Sequence, residues 1–187
     1  MIQETYNMES LSGMVKWILR ILKGTFVVEG IGAIFFAFQF IPEYGFLKGI
    51  WYSVFHSISA FCNAGIDILG ADSFAAYARN PLINLTTMIL IVAGGIGYTV
   101  WFDITDNIRN FRKKGERRRG MFKILTLNSK VALTMTAILI VTGTVSFLFL
   151  ELSNPDTLGE FSFGDKVMGA AFQSVTTRTA GFFTVPQ

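Results

Sequence analysis

Two short strings, Asn63-Ala64-Gly65 and Thr179-Ala180-Gly181, carry residue types whose placement can do chemistry, and that chemistry is the coordination of a cation by backbone carbonyls. Gly65 and Gly181 stand 116 positions apart, and each string closes a short apolar segment. A row of carbonyls at the end of a short helix can replace the water shell of a cation, and the helix C-terminus adds partial negative charge. Glycine supplies the backbone angles such a turn needs without a Cβ clash. Carbonyls of this kind must be held at depth in a membrane, where irregular backbone survives only if it lines a cavity or binds something. The elements that could hold them there have to be sought in the rest of the sequence.

The composition supplies a membrane. Of the 187 residues 51% are hydrophobic, 19 are Phe and 16% are charged, against about 25% charged in a soluble domain. The charges are pushed to the ends of long apolar runs. Residues 81–102 and 131–150 contain no charge, and residues 24–41 are interrupted only by Glu29 and Gln39. As helices, the two longer runs are roughly 30 Å long, the thickness of a hydrocarbon core. Three spans are expected. The first twenty residues carry Glu4, Glu9, Lys16 and Arg20 and lack the apolar core of a cleaved signal peptide. The single cysteine, Cys62, excludes an internal disulfide and a cysteine-cluster metal site. A net charge of +3 on residues grouped beside apolar runs does not indicate nucleic-acid binding.

Lys and Arg beside the spans set the orientation. Twelve of the 16 fall before the first span or between the second and third, nine of them from Arg109 to Lys130. That side is assigned to the cytoplasm. The opposite side carries Lys48, Arg79, Lys166 and Arg178 among Glu43, Asp67, Asp72, Glu151, Asp156, Glu160 and Asp165. The run from Arg112 to Arg119 reads as a topological anchor, or as a docking surface for a cytosolic partner or anionic lipid.

Between the first two spans, residues 46–69 are too apolar for a solvated loop, yet a helix over 49–62 is too short to cross a bilayer. A segment of this length points to a buried or a re-entrant element. The plan recurs after the third span, where residues 165–175 are a short helical candidate leading to Gly181. Superposing the Ala-Gly pairs lays Asn63 over Thr179 and Ser59 over Val175. Phe55-His56-Ser57 and Phe172-Gln173-Ser174 then fall out of register by one. The unit is span, short helix, glycine turn, span, an internal repeat that sets the architecture.

The strings Ser59-Ala60-Phe61-Cys62-Asn63-Ala64-Gly65 and Ser174-Val175-Thr176-Thr177-Arg178-Thr179-Ala180-Gly181-Phe182 resemble the second and third pore loops of the Trk/Ktr/HKT superfamily, most of all the bacterial Ktr membrane subunit. Asn80-Pro81-Leu82 and Gly94-Gly95-Ile96-Gly97 add to the likeness. The resemblance implies an all-α, potassium-channel-like membrane protein of repeated span, re-entrant pore helix, filter loop and span. It implies a multi-pass plasma-membrane protein, not an enzyme, that takes up potassium, with sodium as a coupling ion in some members and no other metal or covalent cofactor. It also implies four repeats in the parent chain, a homodimer, contact with membrane lipid, and a cytosolic regulatory ring that binds nucleotides. By the same likeness the filter carbonyls belong to Asn63, Ala64, Gly65, Thr179, Ala180 and Gly181. Residues 1–110 would form one complete repeat, 111–127 a basic cytoplasmic linker and 128–187 an incomplete second repeat. The remaining repeats are expected on a longer parent chain.

Other residues have narrower readings. Glu29, an ionisable group in a span, is expected near the interface or in a pair with Arg178 or His56. Arg178 is expected in an ion pair behind the filter, since a free cation there would repel potassium. Asp67 either concentrates cations at the mouth or is an ordinary solvated carboxylate. His56 is expected to be packed and hydrogen-bonded. Gly94, Gly95 and Gly97 are expected to allow close helix packing, and Asn80-Pro81 to cap the second span. An enzyme is disfavoured by the absence of a metalloprotease or nucleophile motif. A non-conducting membrane assembly or regulatory subunit remains the alternative.

Overall fold

The computed structural model describes residues 11–70, 73–114, 124–152, 154, 157–159 and 161–185. Six α-helices fall among them: α1 (Leu11–Tyr44), α2 (Phe46–Phe61), α3 (Pro81–Gly95), α4 (Tyr98–Lys114), α5 (Leu127–Glu151) and α6 (Phe163–Thr179). A single 3-10 turn, Ala75–Tyr77, precedes α3. Helices α1 and α5 are each long and apolar enough to cross a membrane, and the bent pair α3–α4 makes a third span if taken together. The protein is an all-α membrane protein.

Helix α1 extends well beyond the apolar run at 24–41. Its 34 residues reach roughly 50 Å, so its first turns, with Lys16, Arg20 and Lys23, project past a hydrocarbon layer of about 30 Å. It stops at Gly45, whose φ of 81° lies in the left-handed region. Gly45 N–H donates to the Ile41 carbonyl (3.0 Å) and Gly49 N–H to the Gly45 carbonyl (2.7 Å). The chain therefore reverses within one residue and α2 runs back along α1. A Cβ at Gly49 would overlap the backbone of Phe40 and Ile41, so the close crossing requires glycine.

Little hydrophobic driving force holds helix to helix inside lipid, and close packing at small residues replaces it. The two halves solve this in the same way. Gly32 on α1 faces Ser57 on α2, whose Oγ donates to the Glu29 carbonyl at 2.6 Å. Gly143 on α5 faces Ser174 on α6, whose Oγ donates to the Ile140 carbonyl at 3.0 Å. In each half the accepting carbonyl lies one helical turn before the glycine. Ser57→Ala and Ser174→Ala should therefore each lower stability by about 0.6–1.5 kcal/mol, read as thermal unfolding of the full-length parent in detergent. A loss confined to one of them would break the equivalence of the halves.

The core between the halves is aromatic. Phe36, Phe40, Phe74, Phe172 and Phe182 are fully buried, and Phe182 stacks on Phe74 with ring centroids 4.9 Å apart. Beside the stack, Phe74 N–H donates to the Phe183 carbonyl (3.0 Å). Helix α3 packs against both α2 and α6 and so joins the two halves.

Residues 81–102 do not form one straight span. Helix α3 ends at Gly95, and α4 leaves at 99° to it. Gly97, at φ 87°, supplies the turn and not a packing surface, since a Cβ added there would meet no described atom within 4 Å. The close-packing role expected of the three glycines belongs to Gly94, where a Cβ would overlap the Phe61 carbonyl oxygen. At the other end of α3, Asn80 Oδ1 accepts from Leu82 N–H (3.0 Å) and Ile83 N–H (3.3 Å), with Pro81 at the first turn, as the sequence predicts.

Helix α4 is pinned on the basic side of the molecule. Arg20 of α1 makes a two-pronged contact with Asp106 (3.0 and 2.5 Å) and lies over the Phe102 ring. Asp103 accepts from Thr126 N–H (2.8 Å) and Thr126 Oγ1–H (2.9 Å), and Thr126 is the N-cap of α5. Helix α4 continues through residue 110 to Lys114. Residues 115–123, the centre of the basic linker, lie outside the described residues.

Candidate ion pathway

Helices α2 and α6 are short, with 16 and 17 residues, and both end at the glycine strings. The second runs further than the 165–175 read from sequence, so Thr176, Thr177, Arg178 and Thr179 are helical. In the first loop Asn63 has φ 54° and Gly65 φ 64°, and in the second Gly181 has φ 98°. Asn tolerates the left-handed region better than most residues, which allows a sharp exit from α2 without a second glycine.

A hydroxyl in the last turns of each helix ties the returning strand. Ser59 Oγ donates to the Ile66 carbonyl at 2.6 Å, and Thr176 Oγ1 donates to the Phe182 carbonyl at 2.7 Å. Ile66 and Phe182 each follow the loop glycine. Ser59 therefore corresponds to Thr176 and not to Val175, which corrects the superposition read from sequence. The one-residue slip is a physical difference: the second loop reaches its glycine one residue sooner, after a longer helix. Sequence reasoning misses these tethers because a serine or threonine in an apolar helix gives no signal of its partner. The paired hydroxyls seven and six positions before Ile66 and Phe182 are the available clue.

The first loop is held along α2 at a further point. His56 is fully buried, with Nδ1 2.6 Å from the Tyr52 carbonyl, and its Nε2 accepts from Ile68 N–H at 3.5 Å. Ala64 N–H donates to the Ser59 carbonyl (2.9 Å), and Gly181 N–H to the Thr176 carbonyl (3.3 Å). With the N–H groups engaged in this way, no described residue donates to the carbonyls of Asn63, Ala64, Gly65, Ala180 or Gly181.

The two loops meet. A Cβ at Gly65 would overlap the Ala180 carbonyl and approach Gly181 Cα at 3.1 Å. The Asn63 side chain lies 2.8 Å from the Thr179 hydroxyl across the 116-residue separation. Sequence reasoning places all six residues in filter loops, and the fold brings the two loops into contact. Two helix C-termini converge there, and each contributes partial negative charge.

The charged residues behave differently from the expectations. Glu29 is buried, but neither His56 nor Arg178 pairs with it. His56 is occupied by the backbone, and the carboxylate instead lies 3.9 Å from Cys62 Sγ–H. Arg178 makes no ion pair with any described carboxylate. Because α6 extends to Thr179, Arg178 is still helical, and its guanidinium reaches Thr136 of α5 at 3.4 Å. In the last turn of α6 its charge suits the helix C-terminus. Asp67 is half-buried two residues beyond Gly65 and forms no salt bridge with a described residue.

A membrane protein in which short helices, too short to span, present glycine loops to one another is of the pore-loop class. Residues 2–187 match the model of the TrkH family, described as cation transport protein. The chain belongs to that family. It is 41% identical over 184 residues to the potassium/sodium uptake protein NtpJ of Enterococcus hirae. It is 36% identical over 182 residues to the Ktr system potassium uptake protein B of Bacillus subtilis, and 36% over 183 residues to the protein of that name in Vibrio alginolyticus. These alignments cover 97–98% of this chain and 38% of each relative. The chain thus spans less than two fifths of the length of these curated relatives.

Proposed function

We propose that the loops at Gly65 and Gly181 are two segments of a potassium-selective filter, and that the chain is part of the pore-forming subunit of a Ktr/Trk-type uptake system. The observation that carries this reading is the convergence of the two loops, with Gly65 against Ala180 and a set of carbonyls to which no described residue donates. Carbonyls oriented by fixed backbone can substitute for water around a dehydrated cation. Residues 1–110 would supply one full span–loop–span repeat, and 128–187 most of another, with further repeats of the parent completing the ring. Potassium is the transported ion, and the sodium in the name of the Enterococcus hirae relative makes sodium coupling a second property to measure. The basic segment 111–127 would face a cytosolic nucleotide-binding ring, in a homodimeric assembly in the plasma membrane.

The test is rubidium influx into cells lacking their own potassium uptake, expressing the full-length parent with its cytosolic partner. Gly181→Ser should weaken apparent affinity about tenfold, which is about 1.4 kcal/mol of ion binding, and Gly65→Ser, whose Cβ would overlap the Ala180 carbonyl, about a hundredfold, or either should admit sodium. Unchanged uptake in both variants would remove the loops from the ion path. A wild type without uptake would favour a non-conducting assembly subunit.

A further inference from the structure

The Asn63 side chain has surroundings that its place in the loop does not require. With its amide turned so that both ends find partners, Asn63 donates from Nδ2 to Thr179 Oγ1 (2.8 Å) and to the Ile91 carbonyl (3.2 Å), and accepts at Oδ1 from Gly95 N–H (3.3 Å). Ile91 and Gly95 are four residues apart on α3. They are the carbonyl and N–H that an uninterrupted helix joins directly. Helix α3 runs unbroken through both, with Ile96 N–H still on the Val92 carbonyl (3.1 Å), so the amide adds a second partner to each polar group of this last rung. The rung lies immediately before Ile96 and Gly97, where the chain turns by 99°. Access to it depends on Gly94, since a Cβ there would overlap the Phe61 carbonyl oxygen and stand 3.0 Å from the Asn63 side-chain amide.

A second side chain holds the same bend from its other side. Trp101 of α4 donates Nε1–H to the Ala93 carbonyl at 2.8 Å, satisfying one of the last carbonyls of α3. Trp101 also packs edge-on to Phe61, at the end of α2, with ring centroids 6.4 Å apart. Helix α4 is itself fixed to α1 through Arg20–Asp106 and to the start of α5 through Asp103–Thr126.

We infer that Asn63 is a positioning residue whose side chain couples the bend between α3 and α4 to the arrangement of both glycine loops, so that the placement of α4 sets the affinity of the ion site. The inference rests on the filter reading of Gly65 and Gly181. A shift of the last turn of α3 would carry Ile91 and Gly95 away from the amide and loosen its link to Thr179. Displacement of α4, through Trp101, acts on the same joint. Asn63 and Trp101 thus work on one mechanical element from opposite ends.

The test is a double-mutant cycle on the full-length parent with its cytosolic partner, using rubidium influx normalised to protein in the membrane. Asn63→Gly keeps the left-handed backbone and removes the side chain, and Trp101→Phe keeps a ring and removes the donor. Each should raise the rubidium KM by roughly tenfold with a smaller change in maximal rate, and the double variant should resemble the more affected single one. Such non-additivity is the mark of two residues acting through one element. Thr179→Val replaces Asn63→Gly in the cycle if the latter does not reach the membrane, with the same expectation. Additive effects, or an unaltered KM in Trp101→Phe, would overturn the coupling while leaving the filter in place. If Gly65→Ser and Gly181→Ser, run alongside, also leave uptake unchanged, both the coupling and the filter reading fall together.

Discussion

Gly65→Ala in the full-length parent is expected to lose at least about a hundredfold in rubidium transport efficiency, against about tenfold for Gly181→Ala. Both glycines have positive φ, 64° and 98°, so an alanine at either costs about 1–2 kcal/mol in backbone strain. The positions differ in what surrounds them. A Cβ at Gly181 meets no described atom within 4 Å, whereas one at Gly65 would overlap the Ala180 carbonyl. That oxygen belongs to the backbone of the neighbouring loop and cannot rotate aside as a side chain would. Overpacking of this kind adds about 1–3 kcal/mol and displaces carbonyls proposed to bind the ion. Influx measured over a range of rubidium concentrations, normalised to protein in the membrane, separates the two. Equal losses would mean that backbone angle alone sets the requirement and that the approach of the loops is incidental.

The second large effect is expected at Gly94, where Gly94→Ala and Gly95→Ala should change stability in opposite directions. Both residues are at the end of α3, and in a helix alanine is favoured over glycine by about 1 kcal/mol. At Gly95 a Cβ would lie 3.8 Å from the Asn63 side-chain amide, an ordinary contact, so Gly95→Ala should be neutral or gain up to about 1 kcal/mol. At Gly94 the same atom would overlap the Phe61 carbonyl. To admit it, the C-terminal end of α2 must move off α3, and the first loop must move with it. The overlap outweighs the propensity gain, giving a net loss of roughly 2 kcal/mol. Thermal unfolding in detergent and the amount of protein reaching the membrane both report it. A stabilised Gly94→Ala would contradict the close approach of α2 to α3.

Much of this molecule can be read from its residues. The uncharged runs mark the spans because a charge in hydrocarbon is costly, and the apolar segment before Cys62 is too short to span by simple length. Asn80-Pro81 announces the start of α3 because capping chemistry is local. Gly65 and Gly181 stand out because each follows an apolar helix of sub-bilayer length, and the strings around them resemble pore loops of the Trk/Ktr/HKT superfamily. Each of these signals depends on neighbours within a few positions, or on a period that one side of a helix imposes.

The remainder involves contacts between residues far apart. The uncharged stretch 81–102 reads as one span, since composition reports burial in lipid and not direction. The bend at Ile96–Gly97 lies beside Asn63, 33 positions away, and is spanned by Trp101 folding back to Ala93. The pairing of Ser59 with Ile66 and of Thr176 with Phe182, which fixes the correct alignment of the halves, is a matter of hydrogen-bond geometry that residue identity leaves open. An ion pair is the natural expectation for Glu29 and for Arg178 because opposite charges attract wherever they meet. Whether they meet depends on which faces of α1 and α6 turn toward each other, and those faces point elsewhere. Sequence by itself determined the membrane, the repeated plan and the two glycine loops, because hydropathy and local backbone chemistry act over short distances along the chain. Tertiary structure alone decided that the loops touch, that the chain bends between α3 and α4 and which side chains meet at the bend, because each depends on partners brought together only when the helices pack.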